Sequence, residues 1–349
     1  MKIKGRGAGG NTPNRFEKVY CTPDADVTQV SEEEIFPSPR TQFLDDHTRT
    51  ILTENNSPDI GFRYSINPYR GCEHGCVYCY ARPTHEYLGL SAGIDFETKI
   101  FVKHKAPELL RERLMAPSWK PETISLSGVT DCYQPAERKF ELTRRCIEVL
   151  RDFRNPFGVI TKNYLVTRDI ELFKEMAAIN GVTVFLTMTT LDPDLCGTLE
   201  PRTSRPAMRL RALEELSKAG IPTGVNVAPV IPGLTDHELP AILEAAANAG
   251  ATQAGYVPLR LPGNVLPLFV EWLEQNKPER KDRVLNHIRS IRGGELYKSD
   301  FGTRMRGEGP FAEHIAKTFE VFSRKFGFNQ RDWELSTEHF ERPGQLSLF

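Results

Sequence analysis

Three cysteines within one short loop constrain this chain more than any other feature. They lie in Tyr69-Arg70-Gly71-Cys72-Glu73-His74-Gly75-Cys76-Val77-Tyr78-Cys79-Tyr80-Ala81-Arg82, spaced C-x3-C-x2-C, with the aromatic Tyr78 directly before Cys79. A loop this tight can aim three thiolates at one place, which suits a cubane iron–sulfur cluster. No fourth cysteine lies nearby, so one iron would stay open to another ligand. Structural zinc is the competing reading. It wants four ligands, usually as two separated pairs, and His74 is the available fourth, cramped between Cys72 and Cys76. A disulfide framework belongs to small secreted chains, and this chain has 349 residues.

The other cysteines, Cys21, Cys132, Cys146 and Cys196, are scattered, as reduced thiols in a cytoplasmic protein are. The opening residues contain no apolar core of signal-peptide length, and no apolar run reaches the length of a membrane span. A cytoplasmic location without membrane association is the expectation. The net charge of −1 does not announce a nucleic-acid partner, although local patches can still act as one.

Periodicity divides the chain into an irregular N-terminal extension (1–60), a βα-repeat core (61–262), a helical C-terminal region (263–335) and a flexible tail (336–349). The glycine-rich basic opening reads as a solvated tail. Core strands are expected at 64–67, 123–127, 157–161, 182–187, 222–227 and 253–257, most followed by a helix. Ile100-Phe101-Val102, flanked by lysines, reads as an edge strand. This pattern predicts an α/β fold, an open partial (β/α)6 barrel, with its site at the carboxyl ends of the strands. The residues to inspect there are Thr130, Asp131, Cys132 and Gln134 after the second strand, Lys162 after the third, Thr187 at the end of the fourth and Asn226 in the fifth. Each has a plainer reading: Asp131 or Gln134 as a helix cap, Lys162 as a solvated lysine, and the hydroxyls and amides as turn residues.

The cysteine loop resembles the signature of the radical S-adenosylmethionine (SAM) family, C-x3-C-x-aromatic-C. That resemblance implies a 4Fe-4S cluster on Cys72, Cys76 and Cys79, with SAM on the open iron, cleaved reductively to a 5′-deoxyadenosyl radical that abstracts hydrogen. Within the family, the stretch from about Asn67 to Pro229 is similar to the spore photoproduct lyase group, through Cys79-Tyr80, Thr130-Asp131, Thr161-Lys162, Glu200-Pro201 and Ala228-Pro229. The likeness implies SAM contacts at Thr130, Lys162 and Thr187; Tyr78, Asp131 and Asn226 complete the candidate cofactor-binding set. It also implies a DNA or nucleotide substrate and an electron donor such as flavodoxin or ferredoxin. One departure stands out: that group carries a hydrogen-donating cysteine where this chain has Gly128. Cys132 is displaced from that position and is a speculative donor, or a structural thiol.

The chain ends Gln345-Leu346-Ser347-Leu348-Phe349, which resembles the pentapeptide that binds the bacterial replication sliding clamp. Folding of the same residues back onto the core is the alternative. Two rival functions remain: a radical SAM enzyme acting on a protein or small molecule, and a non-catalytic metal-cluster scaffold tethered to the clamp.

Overall fold

A computed structural model describes residues 3–16, 39–330 and 334–344. Cys21 and the clamp-like Gln345, Leu346, Ser347, Leu348 and Phe349 lie outside them. The strands run in chain order as β1 (Gln42–Asp45), β2 (Leu52–Glu54), β3 (Tyr64–Ile66), β4 (Tyr69–Arg70), β5 (Lys99–Val102), β6 (Ile124–Leu126), β7 (Phe157–Thr161), β8 (Val182–Met188), β9 (Thr223–Val230) and β10 (Gln253–Pro258). The main sheet has the order β10-β9-β8-β7-β6-β3-β2. Its neighbours pair in parallel except at β2, which runs antiparallel on β3. The six expected core strands are its parallel members, and the barrel is open between β10 and β2.

The segment Ile100–Val102 departs from its edge-strand reading. As β5 it is the middle strand of a second, three-stranded sheet, β1-β5-β4. Its alternating Ile100 and Val102 are fully buried with Tyr69, Ala136 and Leu142, so a small core outweighs the flanking lysines.

Helices Ala106–Met115, Leu142–Asp152, Ile170–Ala177, Pro206–Lys218 and Leu239–Asn248 follow the strands. In Leu142–Asp152 the buried Thr143, Cys146, Ile147 and Leu150 recur at helical spacing, which turns one face to the sheet. The sequence suggests one helix from Glu137 to Phe153, but the chain breaks at Glu141, whose φ is +50°. The cause is Glu137. Its carboxylate accepts the amides of Thr143 and Arg144 at 2.9 and 3.2 Å, capping a new helix start whose N–H groups would otherwise lack partners.

The two faces of the main sheet differ. Phe157, Val159, Val182, Val184, Leu186, Met188, Val225 and Val227 pack against the helices in the main core, each large side chain contributing about 1.5–3 kcal/mol by burial. The alternate positions carry Gly158, Thr183, Asn226 and Gly255, all half-buried, in register across the strands (Gly158 with Thr183; Asn226 with Gly255). Parallel sheets are ordinarily covered on both faces. Here the inner face also carries Ile160 and Phe185, in register with each other and half-buried, so this face keeps partial exposure.

The C-terminal helices Val265–Asn276 and Lys281–Ser290 share a second core with Cys76, Val77, Tyr78, Leu195 and Leu199, bracing the cysteine loop from behind. The glycine-rich opening is likewise structural and not a solvated tail. Gly7 and Ala8 donate their amides to the Glu97 carboxylate at 3.0 and 2.9 Å, and Arg6 donates to the Glu97 carbonyl at 2.9 Å. A Cβ on Gly7 would stand 1.7 Å from the Gly75 carbonyl oxygen. Gly7→Ala is therefore expected to detach this segment and cost about 1–3 kcal/mol, read as a lower melting temperature and faster proteolysis before Thr12. Unchanged protease resistance would refute the contact. Among the described residues no helix is long and apolar enough to cross a membrane.

Candidate active site

The cysteine loop lies across the carboxyl ends of the parallel strands because buried polar groups there hold it from below. His74, 1% exposed, places Nδ1 3.3 Å from Asp131 beyond β6 and Nε2 3.1 Å from the Asn163 amide beyond β7. The Val77 amide donates to the Leu199 carbonyl at 3.0 Å. Gln134 clasps the loop from both sides, donating to the Gly71 carbonyl at 3.0 Å and accepting the Glu73 amide at 2.9 Å. Gly71 and Gly75 take φ of +81° and +68°, where a side chain would be strained. At Gly71 a Cβ would also meet His85 and the Phe96 carbonyl within 3.0 Å.

Behind the loop Arg82 is fully buried. It donates to the Cys76 carbonyl at 2.9 Å, to the Ala92 and Gly93 carbonyls, and to Glu97 at 2.6 Å. One guanidinium thus fixes the backbone between the second and third cysteines. Its five donors in a rigid fork suit this task better than a lysine would.

Cys72 and Cys76 are buried and Cys79 half-buried, all as free thiols. Burial pushes the Cys72 thiol up, and nearby Asp131 and Cys79 push it further. Burial also lifts Cys76 well above the ordinary thiol range, with Glu200 raising it further and Lys162 opposing. Such thiols stay protonated unless a metal displaces the proton. Among the described residues no three of His, Cys, Asp and Glu are grouped to hold a single metal ion, the convergence that tetrahedral zinc needs. A cubane instead takes each thiolate on a different iron. With both nitrogens of His74 occupied, the donor set present is three thiols, which fits a cluster with one open iron and does not fit zinc.

The candidate cofactor residues fall on two sides of this loop. Thr130 is buried, its amide 3.2 Å from Asn67 Oδ1 and its hydroxyl donating to the Tyr69 carbonyl at 2.9 Å. Asp131 accepts the Thr161 hydroxyl at 2.7 Å and the Lys162 amide at 2.8 Å. Burial works to raise its carboxyl, but His74 and these donors bring it below the ordinary value. Asp131 and Gln134 thus serve the loop and not merely the next helix. Thr187 and Asn226 are register partners on the inner face, and the Asn226 amide oxygen lies over Gly255. Thr183, on the same face, has a buried hydroxyl without a partner.

Tyr78 points its hydroxyl to Glu200 and, at 3.0 Å, to Thr189. Glu200 also pairs with the fully buried Arg209 and lies 3.7 Å from Lys162 Nζ. Burial works to raise the Glu200 carboxyl, but Arg209, Lys162 and Tyr78 bring it down to about 2. Lys162 in turn reaches the Ala228 carbonyl at 3.3 Å. It is held inside the mouth and not solvated. Cys132 is fully buried in the main core. Its amide donates to the Ser127 hydroxyl at 2.9 Å, and burial pushes its thiol well up. That is the setting of a structural thiol. At the departure point, a Cβ on Gly128 would stand 2.7 Å from both Cβ and Oγ of Ser65.

Residues the sequence did not single out complete the site. Asn67, Arg82, Glu97, Asn163 and Arg209 are ordinary polar residues in the sequence, and only long-range contacts give them roles. Tyr80 was legible by its place after Cys79. It is 49% exposed, with its hydroxyl on the Gly128 carbonyl at 3.0 Å.

Comparison with known proteins agrees with this geometry. The family model described as the Radical SAM superfamily matches residues 66–246. An uncharacterized protein of Mycobacterium tuberculosis (strain H37Rv) is 40% identical over 230 residues, covering 65% of this chain and 68% of that one. An uncharacterized protein of Methanocaldococcus jannaschii is 30% identical over 226 residues, covering 65% and 81%. A solved structure of spore photoproduct lyase complexed with dinucleoside spore photoproduct superposes with a TM-score of 0.59 at 16% identity, covering 82% of this chain and 80% of that one. With a family model spanning just over half of its length on a cysteine loop poised over an open parallel sheet, the chain belongs to the radical SAM superfamily, whose cofactors are a 4Fe-4S cluster and SAM.

Proposed function

We propose that this radical SAM enzyme abstracts hydrogen from a nucleic acid or nucleotide, in the manner of a repair lyase. Cys72, Cys76 and Cys79 would hold the cluster. When bound and reduced, that group supplies the electron that cleaves SAM. The chain's own residues then have separable tasks. Arg82, Gln134 and His74 hold the loop; Lys162, 3.7 Å from Glu200, would meet the SAM carboxylate; Thr183, Thr187 and Asn226 would offer hydroxyl and amide partners along the inner face.

The carrying observation is the half-buried inner face of the sheet beyond the cysteine loop, where Gly158, Thr183, Asn226 and Gly255 stand in register. The likeness in fold to a lyase solved with a dinucleoside photoproduct supports nucleotide units as the occupant. Gly128 argues against simple reversal of the thymine lesion, because the hydrogen-returning cysteine of that group is missing here and Ser65 fills the space. A lyase-like or other hydrogen-abstraction reaction on DNA is the reading that remains.

The test is release of 5′-deoxyadenosine from SAM by anaerobically reconstituted, dithionite-reduced protein, with and without undamaged or UV-irradiated DNA. DNA is expected to accelerate release at least several-fold. Release indifferent to every nucleic acid would keep the family chemistry and remove the substrate.

A further inference from the structure

The open seam of the barrel is bridged by a strap. The loop after helix Lys281–Ser290 reaches to the loop between β2 and β3, where Asp59 accepts the Gly302 amide at 2.7 Å and Arg304 Nε at 2.6 Å. Arg304 also donates to the Ser57 hydroxyl. Elements from the β10 side and the β2 side of the sheet are thereby joined across the mouth.

Under this strap sits Arg260, just beyond the end of β10. Its guanidinium lies 5.8 Å from the centroid of the Tyr80 ring, beside the last cysteine of the loop. Among the described residues its one hydrogen bond is a donation to the Met305 sulfur at 3.1 Å, a weak acceptor. Its Nε is buried with no partner. Among the described residues no carboxylate forms an ion pair with it; the nearby Asp59 is already bound to Arg304 and Gly302. A second guanidinium, Arg292, is close enough that Arg260 adds to the burial that brings it down to about 10. Arg292 gives both its terminal nitrogens to the backbone carbonyls of Leu259, Thr303 and Arg304, and its Nε is likewise buried without a partner. A third, Arg306, is exposed on the same strap. The seam therefore holds concentrated positive charge with an unfilled fork at its centre. Unpaired buried donors on a charged group are costly, and an arginine fork matches a tetrahedral oxyanion.

We infer that Arg260 is the phosphate receptor of the mouth, holding a backbone phosphate of a nucleic-acid substrate beside Tyr80. This rests on the substrate reading above. The other oxyanion available to the site is the SAM carboxylate, so both are measured.

The experiment uses reconstituted, SAM-loaded, anaerobic protein and a fluorescein-labelled single-stranded thymidine oligonucleotide, with anisotropy recorded over a salt series. Arg260→Met is expected to weaken oligonucleotide binding about 10-fold or more, as loss of a charge-assisted contact does. The slope of log affinity against log salt should fall by about 0.7, one phosphate contact on a single strand. Affinity for SAM, measured by equilibrium dialysis, should not change. Arg260→Lys keeps the charge without the fork; it should retain the salt slope and lose several-fold in affinity, which covers the case in which the methionine variant does not fold. Arg324→Met, an exposed side chain on helix Pro310–Lys325, should bind as wild type. An Arg260→Met protein that binds oligonucleotide normally overturns the assignment. So does one that loses SAM affinity alone, which would give the fork to the SAM carboxylate. Absence of salt-dependent binding by the wild type would overturn the substrate reading and this assignment together.

Discussion

Cys76→Ala is expected to yield a folded protein that retains no intact cluster and releases 5′-deoxyadenosine only at background. Cys76 sits at the centre of the loop, between the Arg82-held backbone and the Glu200–Lys162 pair that its thiol feels. No other cysteine of the described residues shares that loop apart from Cys72 and Cys79. A two-thiolate remnant cannot hold three irons. The fold should survive, because the loop's anchors are Arg82, His74, Gln134 and the Val77 amide, none of which uses the Cys76 sulfur. The control is Cys146→Ala. Cys146 is fully buried in the main core on helix Leu142–Asp152, so its loss should cost about 1 kcal/mol of stability and leave iron content intact. Iron and acid-labile sulfide per chain, with 5′-deoxyadenosine release, decide the matter. Retained cleavage by Cys76→Ala would place the cluster elsewhere.

The second large effect is on stability. Glu200→Ala is expected to destabilise the protein by about 3–5 kcal/mol, the cost of leaving a buried partner charge uncompensated. Glu200 and Arg209 are each 1% exposed or less. Arg209 would keep its bonds to the Ser204 and Thr187 carbonyls but lose its counter-charge. Tyr78 would lose the acceptor that ties the cysteine loop to the end of helix Pro193–Leu199. A drop in melting temperature of about 10 °C is the corresponding signal.

The pH dependence identifies the cause. The Glu200 carboxyl falls from its ordinary 4.5 to about 2 in the folded protein. A depressed carboxyl stabilises the fold above its unfolded value and loses that contribution as pH falls through its folded value. The wild-type advantage over Glu200→Gln should thus be full above about 4.5 and gone near 2, roughly 3 kcal/mol in all. An advantage constant across that window would mean packing, not charge, is responsible.

Much of the architecture is legible in the sequence. The short β-branched runs at Phe157–Thr161 and Val182–Met188 alternate with amphipathic helices, and local periodicity is enough to place them. The cysteine loop was legible for the same reason: its spacing is a local property. What failed was whatever depended on distant partners. Ile100–Val102 reads as an edge because its neighbours in sequence are lysines, yet β1 and β4 come to it from both sides. The opening glycines read as solvated because nothing in their composition reveals Glu97, some ninety residues away, as their acceptor. Helix Glu137–Phe153 reads as continuous because helical propensity does not anticipate a side chain turning back to cap its own successor.

The same division runs through the site. The sequence alone determined that three thiolates share one loop, that a parallel sheet carries it, and that Thr130, Asp131, Lys162 and Thr187 gather at strand ends, since a βα repeat brings all carboxyl ends to one side. Only the tertiary structure decided which charges are matched. Lys162 stands inside because Glu200 draws it there, and Glu200 stays ionised because Arg209, from a helix after the fourth strand, reaches it. Cys132 and Gly128 stand a few residues apart in one loop, yet packing sends one into the core and presses the other against Ser65. Arg260 is one arginine among many in the chain, and what distinguishes it is a buried Nε without a partner beside the Tyr80 ring, a property of three-dimensional surroundings that no local pattern encodes.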